Sequence, residues 1–163
     1  MKRILVTGMS GTGKSSLLGE LQRRGFESVE ADTDAWCKYQ AVAALGEATP
    51  QAGWVWLEDE IAALLQRERT GALFVSGCVS NQGKFYPLFD HIVLLSAPLK
   101  VILTRIAART NNAYGKSAAE RTEILGNLEF VEPLLRASCD VEFDTSKFSV
   151  QQLADELGKL VQR

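Results

Sequence analysis

The eight residues from Gly8 to Ser15 constrain the fold more than any other part of the sequence. They read Gly-Met-Ser-Gly-Thr-Gly-Lys-Ser and match the pattern G-x-x-x-x-G-K-[S/T]. A short apolar run, Ile4 to Val6, precedes them, and a helical pattern from Lys14 to Arg24 follows. A loop between a strand and a helix directs backbone N–H groups and the positive helix end towards one point. The sequence therefore predicts a phosphate-binding loop, or P-loop, at the start of an α/β fold.

The residue types in this loop suit the binding of phosphate and Mg²⁺. The glycines allow a tight turn and a close approach of the backbone to a phosphate. Lys14 neutralises the β- and γ-phosphates of a nucleotide, and the hydroxyl of Ser15 is a ligand for Mg²⁺. These features predict ATP and Mg²⁺ as cofactors. The residues expected to contact them are Gly8, Ser10, Gly11, Thr12, Gly13, Lys14, Ser15 and Ser16.

Strand and helix patterns alternate along the rest of the chain. The strand patterns lie at 4–6, 27–31, 72–77, 91–97 and 141–146. Helical stripes follow at 57–65, 99–106, 124–135 and 150–160, and Ser149 is expected to cap the last one. This alternation predicts a single α/β domain over residues 1–163, with helices on both faces of a parallel sheet. Ligands of such sheets bind at the carboxyl ends of the strands.

Composition limits the classes of partner. The net charge of −2 argues against a surface for nucleic acid or anionic membranes. No apolar stretch approaches the roughly 20 residues of a membrane span. The three cysteines, Cys37, Cys78 and Cys139, are too widely spaced for a zinc site or a disulfide framework. We therefore expect a cytoplasmic protein, a monomer or weak homodimer, whose partner is a small molecule.

Two aspartates, Asp32 and Asp34, stand one residue apart after the second predicted strand. The third strand ends Phe-Val-Ser-Gly and lacks the aspartate that commonly helps to hold Mg²⁺, so Asp32 is the best nearby carboxylate for the metal. Capping of a following helix remains an alternative for either aspartate. A GTPase would need a base-reading N-K-x-D motif, which is absent, and an AAA+ motor would need a longer module with an acidic pair on a strand.

Two polar or small-residue segments interrupt the alternation. Residues 41–53 are rich in Ala, Gly and Pro, and residues 110–116 are polar and turn-forming. Both are predicted to be mobile segments over the site.

The order of these motifs resembles the small P-loop kinases of the shikimate kinase and nucleoside monophosphate kinase group. The P-loop, the aspartate pair, the arginine before a flexible segment and the late Asp-Thr-Ser follow in that order, and the likeness covers nearly the whole chain. The resemblance implies a three-layer α/β/α P-loop NTPase fold, with a five-stranded parallel sheet in the order 2-3-1-4-5. It also implies a helical acceptor-binding segment at about 33–70 and a small lid at about 110–118.

The resemblance also implies roles for single residues. Asp32 would support the metal through water, and Asp34 would be the base for the acceptor hydroxyl. Arg109 would stand at the start of the lid and pack on the adenine. Lys116 would reach the phosphoryl group that is transferred. Asp144, Thr145 and Ser146 would line the adenine. Arg105 lies four residues before Arg109 on one helix face and would also point at the nucleotide, unless it forms a surface ion pair.

The acceptor region departs from shikimate kinases. Their F-R-x-x-E reads Trp-Leu-Glu-Asp-Glu at 56–60, their triple glycine reads Ser-Gly-Cys at 76–78, and their R-x-P-L reads Val-Glu-Pro-Leu at 131–134. Leu or Val cannot replace a bidentate arginine–carboxylate contact. Residues 35–65 hold one lysine and no arginine, so the phosphate of a nucleotide acceptor would also be poorly held.

These departures predict an ATP-dependent phosphotransferase that acts on a hydroxyl of a small neutral or cationic molecule. The residues expected at the acceptor are Asp34, Trp36, Gly77, Cys78 and Asn81. Trp36 stands behind the aspartates and could either stack on the acceptor or pack, whereas packing is favoured for Trp54 and Trp56. The alternatives are a nucleoside or nucleotide kinase, shikimate kinase proper, an ATP-binding regulatory protein, or an NTPase without an acceptor.

Overall fold

Five parallel strands form the central sheet of the computed structural model, which describes residues 1–42 and 51–162. The strands of this sheet are β1 (Arg3–Thr7), β2 (Glu27–Glu30), β5 (Leu73–Ser76), β6 (His91–Ser96) and β7 (Val141–Asp144). Their order in space is β2-β5-β1-β6-β7, which is the predicted order 2-3-1-4-5 when only the sheet strands are counted. Because all neighbours are parallel, the carboxyl ends of the five strands meet at one edge.

Helices cover both faces of the sheet and confirm the three-layer α/β/α fold. They are α1 (Lys14–Arg23), α2 (Glu58–Gln66), α3 (Leu99–Ala108), α4 (Ala118–Phe130), α5 (Glu132–Ser138) and α6 (Val150–Gln162), together with a 3-10 helix at Gln82–Leu88. The side chain of Ser149 accepts a hydrogen bond from the backbone N–H of Gln152 at 3.1 Å and begins α6 as predicted. None of the helices in the described ranges is both long and apolar enough to span a membrane.

Two apolar layers hold the sheet. On one face, Leu17 and Leu21 of α1 pack with Leu153 and Leu157 of α6 against β1. On the other face, α2 packs with a group that includes the fully buried Trp56. The burial of each leucine side chain contributes about 1.5–3 kcal/mol to the free energy of unfolding. The predicted helical stripes therefore lie in the core.

A β-hairpin that the sequence analysis did not predict precedes α2. Its strands, β3 (Cys37–Val42) and β4 (Gln51–Trp56), are antiparallel and pair Tyr39 with Trp54. The predicted mobile segment 41–53 therefore contributes residues 41–42 and 51–53 to strands, while 43–50 lie outside the described residues. Its Ala- and Gly-rich composition concealed the strands, because such residues have low β-propensity and only pairing stabilises them here.

The predicted helical stripe at 124–135 is two helices rather than one. It breaks at Val131, which ends α4 and precedes α5. Pro133 stands in the first turn of α5, where its missing N–H leaves no hydrogen bond unmade. A continuous helix would have placed this proline in its interior, so two helices are the stable solution.

The predicted lid segment runs between α3 and α4. Gly115 has a φ of +90°, and a Cβ atom there would lie 2.7 Å from Cγ2 of Ile106 and 2.8 Å from Cδ1 of Ile124. The segment thus passes tightly between two core helices, which only glycine permits. Ser117 then begins α4 with a reciprocal capping box to Glu120.

Candidate active site

The P-loop connects β1 to α1 at the carboxyl edge of the sheet. Gly8 has a φ of +149°, and a Cβ atom there would overlap the backbone carbonyl of Leu95. Gly13 has a φ of +101° and stands at the N-cap of α1, where no side chain caps the helix and the first turn holds no acidic residue. The first N–H groups of α1 are therefore available to an anion.

Two side chains of the loop bond to its own backbone. The ammonium of Lys14 donates to the carbonyls of Gly8 at 2.7 Å and of Met9 at 3.2 Å. The hydroxyl of the buried Thr12 donates to the carbonyl of Met9 at 2.8 Å. These bonds hold Lys14 over the loop, so its positive charge lies where the sequence predicts phosphates.

Arg105 ties the P-loop to the loop after β7. Its guanidinium donates to the hydroxyl and the carbonyl of Thr145 at 2.7 and 3.0 Å, and to the carbonyl of Gly11 at 3.3 Å. The Thr145 hydroxyl in turn donates to the carbonyl of Thr12 at 2.8 Å. No carboxylate of the described chain forms an ion pair with Arg105, so the surface ion-pair alternative is wrong. The sequence carried no signal for this tie, because its members are distant in the chain.

Arg109 lies over the P-loop at the start of the lid segment. Both terminal nitrogens of its guanidinium stand 3.3 Å from the hydroxyl of Ser10, and one donates to the carbonyl of Tyr114 at 2.5 Å. Partial burial lowers the pKa of Arg109 from its ordinary value. Lys116 does not line the cavity; its ammonium donates to the carbonyl of Arg109 at 2.6 Å.

The aspartate pair occupies the turn after β2. The backbone N–H of Cys78 donates to both carboxylate oxygens of Asp32, at 2.9 and 3.2 Å. Although solvent reaches this carboxylate through the cavity, surrounding protein raises its pKa by burial, and the charge of Lys14 opposes that shift. Asp34 is exposed and lines the same cavity.

Helix capping by either aspartate is excluded by the turn that follows. The backbone N–H groups of Trp36 and Cys37 donate to the carbonyl of Thr33 at 2.8 and 2.9 Å, and the chain then enters β3. Because a strand and not a helix follows, there are no helical N–H groups for Asp32 or Asp34 to cap.

Gly77 and Asn81, both predicted at the acceptor, lie behind the cavity wall. A Cβ atom on the buried Gly77 would stand 2.6 Å from the ring of Trp56 and 3.0 Å from Oδ1 of Asp32. Asn81 accepts from the backbone N–H of Trp56 at 2.8 Å and donates to its carbonyl at 3.1 Å. Both residues thus fix Trp56 and, through it, the aspartate turn, since the Trp56 indole N–H donates to the carbonyl of Ala31 at 2.9 Å.

Trp54 lines the cavity although packing was expected for it, whereas Trp36, for which both roles were open, packs. Trp36 packs against the core cluster of α2 and does not line the cavity. Trp54 does line the cavity, and its ring meets that of Tyr39 edge to face at 5.5 Å. With 49% of its surface exposed, Trp54 offers an aromatic face to a ligand. Cys78, also predicted at the acceptor, lines the cavity beside it.

The loop after β7 contributes unevenly. Thr145 lines the cavity, together with Phe148, which the sequence analysis did not select. Asp144 and Ser146 do not line it: the hydroxyl and N–H of Ser146 donate to Oδ1 of Asp144 at 2.6 and 3.0 Å. These bonds lower the pKa of Asp144 and stabilise the turn.

One cavity of about 910 Å³ joins these parts. It is bounded by the P-loop, the aspartate turn, the hairpin and the α3–α4 segment, and this volume is within the range of small-molecule sites. The wall also includes residues that had no motif to reveal them: Glu30, Cys37, Val79, Tyr114, Glu123 and Asn127.

The residues present fit a magnesium nucleotide. Uncapped N–H groups of α1, the ammonium of Lys14 and the exposed hydroxyl of Ser15 share the cavity with the Asp32 carboxylate. These are phosphate-binding groups and hard oxygen ligands, which suit Mg²⁺ and a triphosphate. The fold and this loop define a P-loop NTPase domain.

Comparison with known proteins places the chain in a family. A family profile described as an AAA domain matches residues 4–126, so the chain belongs to this family. The match covers the nucleotide-binding core. The acidic pair that an AAA+ motor would carry on a strand is not found at the end of β5, which ends in Ser76. No curated protein matches the chain in sequence.

Solved structures confirm the resemblance to small kinases at the level of the fold. Shikimate kinase from Acinetobacter baumannii, in complex with shikimate, is 17% identical with a TM-score of 0.65, over 99% of this chain and 93% of that one. A gluconokinase from Sinorhizobium meliloti 1021 is 19% identical with a TM-score of 0.55, over 99% and 94%. The YorR protein of Bacillus subtilis, in complex with phosphorylated GDP, is 14% identical with a TM-score of 0.66, over 98% and 95%.

Proposed function

We propose that this protein is an ATP- and Mg²⁺-dependent kinase that phosphorylates a hydroxyl of a small neutral or cationic molecule. The observation that carries the proposal is the cavity of about 910 Å³ that both the P-loop and Asp34 line. The family and the fold neighbours support kinase activity in general. The ligands and activities of these neighbours differ from one another, so the acceptor is inferred from this chain's own residues.

The P-loop would hold the triphosphate with its backbone N–H groups, and Lys14 and Arg109 would neutralise charge on the phosphoryl group in transit. Asp34 would orient the acceptor hydroxyl and take its proton. The acceptor oxygen forms a bond to the γ-phosphorus as the bond from that phosphorus to the β–γ bridging oxygen breaks, so ADP leaves with the electron pair. Phosphoryl transfer has a loose transition state, so positioning and charge account for most of the catalysis.

Ser15 and Asp32 would hold the magnesium ion, Asp32 through water. When bound, Mg²⁺ would neutralise oxygens of the β- and γ-phosphates. Cys78 fixes the orientation of the Asp32 carboxylate through its backbone N–H, which keeps that side chain directed into the cavity.

ADP release, measured with and without a panel of alcohols, tests the proposal. Strong stimulation by an alcohol, with a phosphorylated product seen by mass spectrometry, is expected of a kinase. Turnover that no alcohol changes would identify an NTPase, and nucleotide binding without turnover would identify a regulatory protein. Turnover of shikimate alone would contradict the predicted acceptor class, because Leu57 and Val131 stand where shikimate kinases have the arginines that hold a carboxylate.

A further inference from the structure

Most charged side chains are segregated along the cavity wall. The cations lie at the nucleotide end, on the P-loop and α3, whereas three of the acids lie where β2 ends and the aspartate turn begins. The cations are Lys14, Arg105 and Arg109, and these three acids are Glu30, Asp32 and Asp34. Glu123 of α4, which stands by Tyr114, is the exception among the described wall residues. The other described wall residues from the hairpin and the loop after β5 are uncharged: Cys37, Trp54, Cys78 and Val79.

The cations of the wall are not free to hold an acidic acceptor. Lys14 lies over the P-loop, Arg105 is bonded to Thr145, and Arg109 is bonded to Ser10 and Tyr114. All three face the end that a triphosphate would occupy. Lys84, the lysine of the 3-10 helix, lies off the cavity wall and pairs with Glu58 at 2.6 Å. An acceptor with a carboxylate or phosphate would therefore meet repulsion from Asp34 without a compensating partner.

Trp54 provides a second, independent feature of the cavity wall. Its half-exposed ring lines the cavity, and Tyr39 supports the ring edge to face from the paired position on β3. Tryptophan is the aromatic side chain whose face attracts cations most strongly, and the attraction grows as water is excluded. A solvent-exposed tryptophan on the wall of a cavity is thus a contact for a cation or for the flat face of a ring.

Glu30 is the acid that the proposed transfer does not use. It lies at the end of β2 and makes no side-chain hydrogen bond or ion pair with any residue in 1–42 or 51–162. Its negative charge is close enough to contribute to the raised pKa of Asp32. Its charge is therefore left to act on whatever enters the cavity.

We propose that the acceptor is a cation: an alcohol that carries an ammonium group, held by the face of Trp54 and the field of Glu30 and Asp34. This inference rests on the proposed kinase function and narrows its acceptor from neutral or cationic to cationic. The ammonium takes no part in bond making; it fixes the orientation of the molecule while the hydroxyl faces the nucleotide. A bound triphosphate strengthens this preference, because it neutralises the cationic end and leaves the acid end in excess.

Matched alcohols that differ in one charge test this inference. D-glucosamine, D-glucose and D-glucuronate form one series, and ethanolamine, ethylene glycol and glycolate form another. Binding is measured by calorimetry with Mg²⁺ and a non-hydrolysable ATP analogue present, and ADP release is measured separately with ATP. In at least one series the ammonium member is expected to bind roughly tenfold or more tightly than the neutral one, about 1.4 kcal/mol, with the anion weakest. Raising the salt concentration is expected to reduce the difference.

Variants assign the preference to named side chains. Trp54→Leu is expected to weaken ammonium binding about tenfold, with partial recovery in Trp54→Phe, because phenylalanine retains a weaker aromatic face. Glu30→Gln is expected to weaken the ammonium member several-fold and the neutral member little. Phe130→Leu and Glu129→Gln, exposed on α4 away from the cavity, are the matched controls and are expected to change neither. Circular dichroism and nucleotide affinity verify that each variant is folded.

The outcomes separate this inference from the function on which it rests. If neutral or anionic alcohols bind best and stimulate ADP release, the proposed kinase function is supported and the cationic acceptor is wrong. If ammonium alcohols bind selectively through Trp54 but none is phosphorylated, the cation site stands and the kinase function is wrong. If no ammonium member binds more tightly than its neutral counterpart, the inference is overturned.

Discussion

The two ends of the cavity are built in different ways. The nucleotide end is made by the backbone of one contiguous loop, in which Gly8 and Gly13 take up conformations that favour glycine. The acceptor end is assembled from the turn after β2, the hairpin and the loop after β5, which are distant in sequence. Phosphate binding is therefore carried by a motif, whereas the choice of acceptor depends on how separate elements pack. If the two ends are independent, substitutions at one end are expected to leave the other unchanged.

The largest effect is expected from Asp34→Asn, which acts on the acceptor end alone. Loss of the base is expected to lower the transfer rate by roughly 10²–10⁴-fold, while ATP affinity changes little because the proposed role of Asp34 is to bind the acceptor hydroxyl and not the nucleotide. Asp32→Asn should instead weaken the Mg²⁺ dependence. Acceptor-stimulated ADP release and nucleotide titration measure these effects, with Asp59→Asn on the exposed surface of α2 as the control. Full activity in Asp34→Asn would remove this residue from the mechanism.

Gly77→Ala is expected to damage the acceptor end through packing. The new methyl group would stand 2.6 Å from the Trp56 ring and 3.0 Å from the Asp32 carboxylate, so one of them has to move. Overpacking of this kind lowers the free energy of unfolding by about 1–3 kcal/mol. Chemical denaturation measures the loss. Gly83→Ala is the control, since a Cβ atom there meets nothing within 4 Å, and equal effects in the two variants would refute the packing argument.

Thr145→Val tests the tie at the nucleotide end. The substitution keeps the shape of the side chain but leaves the carbonyl of Thr12 without its hydroxyl donor. It also removes one of the three oxygens that accept from Arg105, while the carbonyls of Thr145 and Gly11 remain. A buried polar group left without its hydrogen-bond partner is expected to lower the free energy of unfolding by about 1–3 kcal/mol. ATP binding is expected to weaken as well, because the P-loop is held less firmly. Thr104→Val on the exposed face of α3 is expected to remain within about 0.5 kcal/mol of the parent. Unchanged ATP affinity in Thr145→Val would show that the tie does not position the loop.

The smallest effect is expected from Ser117→Ala, at the junction of the lid segment and α4. It removes the side-chain half of the capping box with Glu120, which is worth about 1 kcal/mol of stability. Denaturation midpoints measure the change. Thr122→Ala, within the exposed part of α4, is the control and should be neutral or slightly stabilising, because alanine favours a helix. A change in acceptor preference would indicate that the lid segment and the acceptor end are coupled.

The parts of the site that are local in the chain could be predicted. The P-loop was recognisable because its glycines, Lys14 and Ser15 are adjacent, and their spacing alone gives the geometry. The sheet order followed from a resemblance of motif order. The aspartate turn was located, yet whether a helix or a strand followed it could not be read from Trp36 and Cys37. The side chain of Asp32 is held by a backbone N–H that lies 46 residues further on.

Parts that depend on pairing and packing could not be predicted. That Trp54 faces the cavity depends on the register of a hairpin, in which Trp54 pairs with Tyr39, and a shift of one residue would turn it to the other face. The tie between Arg105 and Thr145 spans 40 residues and carries no pattern. Gly77 and Asn81 stand in a loop for which the sequence predicts a role at the acceptor. In the folded chain both contact Trp56 and hold it in place.

The P-loop, the α/β alternation and the carboxylates after β2 are encoded locally, because each depends on residues that are close in the chain. Which side chains share the cavity with that loop is set by the packing of the folded chain. The physical reason is that an acceptor site is a surface between elements, and its lining is set by strand register and steric fit around Trp56. The charge segregation that distinguishes the two ends therefore appears only when the chain is folded.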